Sequence, residues 1–142
     1  MSIVLYACEL TRLRKFYTEA LGFSVVEGDD SYALLVLENF ELLLQQAPES
    51  VTSQIQISMP AVPRSSTPIK PVLVLAGYMS DIRQQVIDAG GTFDEADSEW
   101  HFRESRVCDG ADSEGNIFQI RVFDPQIDTD VDSGAGPDTG PS

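Results

Sequence analysis

Histidine is almost absent: His101 is the only imidazole among 142 residues. A zinc site built on several histidines is thereby excluded. Cysteine is nearly as scarce. Cys8 and Cys108 cannot make a disulfide framework or a Cys-based zinc site. Both sit in apolar, strand-like runs and read as buried free thiols, which fits a reducing cytoplasm. Basic residues number 9 against 23 acidic, a net charge of −14. Such a body repels phosphate backbones, so no nucleic-acid partner is expected. No apolar run approaches the roughly 18 residues that cross a membrane, so no membrane partner is expected either. The opening "MSIVLYACEL" has no basic n-region and reads as a strand rather than a leader. There is no phosphate-cradling glycine-rich loop and no Gly-x-Ser-x-Gly elbow. A nucleophile–base pair would have to be Cys108 with His101. With "HFRESRVCDG" read as one strand, their odd spacing puts them on opposite faces.

What is there falls into two similar blocks. In the first, "SIVLYA" is an apolar strand and "LTRLRKFYTEALG" has helical spacing. Leu10, Leu13, Phe16, Tyr17, Ala20 and Leu21 share one face of that helix, Glu9 or Thr11 starts it and Gly22 stops it. "FSVVEG", "SYALLVLE" and "FELLLQQ" follow as strands. In the second block, "PVLVLAG" is a strand and "YMSDIRQQVIDAGG" a helix. Met79, Ile82, Val86 and Ile87 face inward along it and Gly90 stops it. "TFDEA", "HFRESRVCDG" and "NIFQIRVF" complete three more strands. The order strand, helix, strand, strand, strand occurs twice, which marks an internal repeat. The boundaries are a first βαβββ module over 1–48, a linker over 49–70 with one helical turn after Pro48, and a second module over 71–123. An acidic tail over 124–142, with five Asp and no Lys or Arg, reads as disordered. Residues 1–123 then carry 9 basic against 18 acidic residues.

"LRKFYTEALGFSVVEG" resembles the first helix and second strand of the vicinal oxygen chelate superfamily. That superfamily holds glyoxalases, extradiol dioxygenases, fosfomycin-resistance enzymes and bleomycin-resistance proteins. "DGADSEGNIFQIRV" is similar to its closing turn and strand. The resemblance spans residues 2 to about 123. It implies an α+β fold in which two βαβββ modules curl a mixed sheet into a cup, with the helices on the outer face. It also implies a metal, where one is present, held in the cup by first and last strands of the modules. The matching positions here are Ser2, a residue near Pro71, Gln119 and a residue near Leu42, with Glu41 one place away. A hydroxyl, an amide and two non-ligands make a poor divalent site. No metal and no cofactor are therefore expected.

Strand alternation from Gln119 turns Ile117 and Arg121 inward and packs Phe118, Ile120 and Val122 under the helices. Val4 and Tyr6 share the face of Ser2; Leu73 and Leu75 share that of Pro71; Phe40 and Leu42 line the fourth strand; Trp100 and His101 come from the lip. The candidate ligand-binding residues are thus Tyr6, Phe40, Leu73, Trp100, His101, Gln119 and Arg121. Trp100 caps the cup or packs at a dimer contact. Arg121 clamps a carboxylate or pairs with a neighbouring acid such as Glu104. The combination describes a metal-independent protein, cytoplasmic and homodimeric, that captures a small organic ligand in an apolar cup. The alternatives are a metal-dependent glyoxalase- or dioxygenase-like enzyme with displaced ligands such as Glu41, His101 and Gln119, and a structural partner whose cup is filled.

Overall fold

The computed structural model describes residues 1–53, 61–63 and 69–124. The expected disorder of the tail falls outside them beyond Asp124, as does much of the expected linker.

The first unit runs β1 (Ser2–Ala7), α1 (Leu10–Leu21), β2 (Ser24–Gly28), β3 (Tyr32–Leu37) and β4 (Phe40–Gln46). Its sheet has the order β1-β4-β3-β2, with β1 parallel to β4 and the other pairs antiparallel. The six α1 residues expected on one face are the six it buries. Gly22 stops it at φ 80°, in the left-handed region that glycine enters without steric cost. β2 forms the outer edge, and its ladder to β3 slips between Val25 and Glu27. A single helical turn, α2 (Glu49–Thr52), follows Pro48.

The second unit runs β5 (Val72–Leu75), α3 (Met79–Asp88), β6 (Thr92–Phe93), β7 (Trp100–Phe102), β8 (Ser105–Ala111) and β9 (Ile117–Phe123). Its sheet repeats the first: β5 lies parallel to β9, β9 antiparallel to β8, and both β6 and β7 pair with β8. β6 and β7 are two pieces of one edge strand, parted by a 3-10 turn over Ala96–Ser98. "HFRESRVCDG" is therefore a hairpin, not one strand. Its turn passes through Arg103 at φ 57°, without the Gly or Asn that usually marks such a place. On α3, Met79, Ile82 and Val86 are buried, but Ile87 is 47% exposed and faces out.

The covered faces of both sheets and the inner faces of both long helices make one buried cluster. Leu13, Phe16, Leu35, Leu44, Val86, Phe118 and Ile120 are large, fully buried members, each contributing about 1.5–3 kcal/mol. Phe16 sits so close to Gly91 that a β-carbon there would meet its ring at 2.6 Å. The two units thus fold as one body.

The turn between β8 and β9 fastens them. Asp112 is fully buried and its carboxylate accepts from the Tyr17 hydroxyl at 2.6 Å, from the Glu114 and Asn116 N–H groups, and from the Asn116 amide. Glu114, also buried, reaches the start of α1. Its carboxylate accepts the N–H groups of Cys8 at 2.9 Å and Glu9 at 2.8 Å. Glu9, the N-cap residue, makes no side-chain cap of its own. Gln46 completes the arrangement by accepting from the Leu10 N–H. A helix start leaves N–H donors unsatisfied and favours negative charge nearby, so a carboxylate from the other unit serves both needs. Glu114→Ala is expected to cost about 2 kcal/mol, read as a lower urea midpoint with unchanged slope.

Burial, and then the negative charge of Asp112, push the Tyr17 phenol well above its ordinary value, whereas burial raises the Asp112 carboxyl against the donors that surround it. Tyr17 accordingly stays protonated and donates. A phenol whose folded pKa is raised contributes stability fully below the unfolded value, about pH 10, and loses it as pH climbs through the folded value. Tyr17→Phe should cost about 1–2 kcal/mol at neutral pH and flatten the alkaline fall in melting temperature above about pH 10. Parallel pH-dependent melts of the two proteins measure this.

Candidate functional site

Each sheet has one face against the helices and one turned away. On β1 the second face carries Ser2, Val4 and Tyr6; Val4 is 51% and Tyr6 53% exposed. In the parallel ladder Ser2 stands beside Glu41, not Leu42. Leu42 is buried in the core, and the Phe40 ring packs on Phe23. The open face of the first sheet therefore presents Ser2, Glu41, Leu43, Gln45, Leu34, Tyr32 and Glu27 around a shallow depression of about 550 Å³.

On the second sheet Gln119 stands beside Val72 and Asp109, and Arg121 beside Val74 and Val107. Leu73 pairs with Ile120 and is buried with it under the helices. The face expected for Leu73 and Leu75 is thus reversed: Val72 and Val74 flank Gln119 and Arg121. Trp100 pairs with Val107, which places it on the same row as Arg121, and it is buried. His101 pairs with Arg106, on the covered face, and is turned away from Gln119. Of the seven candidates, Tyr6 is on the open face of the first sheet, and Trp100, Gln119 and Arg121 are on that of the second. Phe40, Leu73 and His101 are on covered faces.

His101 and Cys108 lie on neighbouring strands, so the odd-spacing argument does not apply to them. Parity puts them on the same face, yet they make no pair. The Cys108 thiol lies against the Arg83 guanidinium at 3.8 Å and the Asp94 carbonyl at 3.7 Å, and burial pushes its pKa up to about 11. A protonated buried thiol is no nucleophile. Cys8 is only partly buried, just before α1.

A polar chain crosses the open face of the second sheet. Lys70 bonds Asp109 at 2.6 Å, the Gln119 amide nitrogen faces Asp109 at 3.4 Å, and Arg121 Nε donates to Gln119 Oε1 at 2.9 Å. The guanidinium of Arg121 lies over the Phe102 ring at 4.8 Å. Gln119, the one amide at an expected ligand position, thus has its oxygen occupied by a cation of the protein itself. A divalent ion at Gln119 would meet Val72 on one side, Asp109 already held by Lys70 on the other, and a positive charge at the amide oxygen, while Ser2 and Glu41 stand together on the other sheet. Among the described residues no three of His, Cys, Asp and Glu come together. The residues present do not fit such an ion.

An apolar cavity of about 200 Å³ lies at the seam where β1 and β5, the inner edges of the two sheets, approach without hydrogen bonding. Ile3, Leu5, Phe40, Leu42, Leu73 and Phe118 wall it, Tyr17 of α1 and Phe23 just after that helix bound it, and Val4 and Ile117 lead toward the open faces. Two of the seven candidates, Phe40 and Leu73, line it. The sequence missed it because it lies between units, and no local pattern reports a gap between strand edges.

No protein-family profile matches the chain, and no curated protein matches it. Solved structures do. The fosfomycin resistance protein FosX from Listeria monocytogenes superposes with a TM-score of 0.62 at 10% identity, covering 86% of this chain and 90% of that one. The bleomycin-binding protein of Streptomyces verticillus, solved with copper(II)-bleomycin, gives 0.56 at 12% identity, covering 87% and 95%. A glyoxalase-related enzyme from Fulvimarina pelagi gives 0.57 at 16%, covering 85% of each. At these identities the likeness shows the fold alone: the chain has the paired βαβββ fold of the vicinal oxygen chelate superfamily.

Proposed function

We propose that this protein captures a small organic ligand without a metal ion and performs no chemistry on it. The observation that carries this reading is the seam cavity. Its walls are apolar, it is large enough for a body of one or two rings, and it leads to open faces that hold polar handles. The Arg121–Gln119 contact supports metal independence, because it fills the amide donor with a fixed positive charge. The displaced set Glu41, His101 and Gln119 gives an enzyme no support, since His101 is on the covered face. Among the similar folds, one binds bleomycin, which is the analogy for capture rather than turnover.

A second copy of the chain completes the site in this reading. Val4, Tyr6 and Val74, at 51%, 53% and 63% exposure, hold apolar surface in water on faces that a partner would cover. The dimer is thus the state in which the two open faces become walls.

A panel of small aromatic and alicyclic compounds is expected to raise the melting temperature by several degrees in the presence of excess chelator. Leu73→Trp, which pushes an indole into the seam, should abolish the rise while the unliganded protein still melts cooperatively. Stabilisation that disappears in chelator, or stoichiometric metal in protein purified without added metal, would defeat the proposal.

A further inference from the structure

We infer that this protein binds a carboxylate at Arg121. Arg121 does not line the seam cavity, so this is a second subsite, on the open face of the second sheet, and it goes beyond the capture reading. Arg12, Lys70, Arg83 and Arg106 each have a carboxylate within 3.4 Å. Arg121 has none among the described residues, in a chain where acids outnumber bases 23 to 9. Glu104, the acid expected to pair with it, does not: the backbone carbonyl of Glu104 holds Asp124, and its side chain is exposed.

The guanidinium is nevertheless held in place. Nε donates to Gln119, and the plane rests on Phe102. Gln119 is fixed in turn by Asp109, which Lys70 holds. The two terminal nitrogens of Arg121 therefore form a rigid, half-buried fork with no acid in it. A carboxylate fits such a fork with two parallel hydrogen bonds. Arg103 adds to the pull, since its guanidinium lies 5.4 Å from the same Phe102 ring. Two cations thus share one ring.

The rest of the surface narrows the class. Asp109 stands beside Gln119, and the molecule as a whole is strongly acidic, so a polyanion is repelled where a single negative charge is accepted. Val72 and Val74 border the fork, and Trp100 lies in its row, which suits an apolar or aromatic body attached to the acid group. The positive charge that would repel a metal is then the one that recruits the ligand.

The test is calorimetric titration of the full-length chain with three isosteric probes: 3-phenylpropionate, 3-phenylpropionamide and 3-phenylpropylamine. The acid is expected to bind at least tenfold tighter than the amide, and the amine weakest. Arg121→Gln should erase the preference for acid over amide. Arg121→Lys should keep the charge and lose the fork, leaving an intermediate preference. Both variants should melt near the wild type, because the side chain is not part of the core. Equal affinity for acid and amide, or an unchanged acid affinity in Arg121→Gln, overturns the inference. If the amide or the amine binds and the acid does not, the carboxylate falls. If none of the three binds, the inference falls, and capture in the seam is judged by its own melts. If Arg121→Gln instead changes the sedimentation of the unliganded protein and leaves acid binding alone, Arg121 serves a subunit contact and the inference also fails.

Discussion

The structure depends on a carboxylate of one unit closing the helix start of the other. Glu114 takes the backbone donors at the head of α1, and Asp112 beside it takes the hydroxyl of Tyr17, about two turns along the same helix. Two anchor points set both the position and the direction of α1. α1 buries its apolar face in the cluster that both units share, and Tyr17 on that helix also bounds the seam cavity. Burying two acids is costly unless their lone pairs are filled, and here donors surround both. The joint is therefore specific: any other placement of α1 would leave acids buried and unbonded.

Much of this fold could be read from the chain. The helix α1 was visible because Leu10, Leu13, Phe16, Tyr17, Ala20 and Leu21 recur at helical spacing, and Gly22 and Gly90 mark stops that need positive φ. The alternation of "NIFQIRVF" also placed Phe118, Ile120 and Val122 on the core side. Facing failed where alternation was missing. "VLVL" and "FELLL" are apolar throughout, so nothing in them says which residue looks inward, and Leu73 and Phe40 were set on the wrong side. One hairpin was missed because its turn uses Arg103 and Glu104 rather than glycine or asparagine. The roles of Asp112 and Glu114 lay beyond any local pattern, since their partners are some hundred residues away.

Electrostatics divide the molecule in a way that composition hides. The excess of acid suggests a surface hostile to anions everywhere. Yet on the open face of the second sheet Lys70 and Asp109 neutralise each other and Arg121 adds a positive charge, while the open face of the first carries Glu27 and Glu41. The two faces differ in character within one chain: the excess of acid lies on the first, and the second holds the one cation of its polar chain that has no carboxylate partner among the described residues. Elsewhere the basic residues are consumed locally, as where Glu99 holds both Arg83 and Arg106 beneath the broken edge strand. That local neutralisation keeps the covered side quiet and leaves the field of the open side to the few cations that face it.

At high concentration an outer strand with Val25 and Val26 half open to water is a template for the strand of a neighbouring molecule. The slip in the β2 ladder between Val25 and Glu27 interrupts its row of free backbone groups and adds twist where a growing fibre would need a long flat run. Mutual repulsion at a charge of −14 acts in the same direction. The irregularity at the rim thus guards the chain against stacking into aggregates, a protection that a regular strand of the same composition would lack.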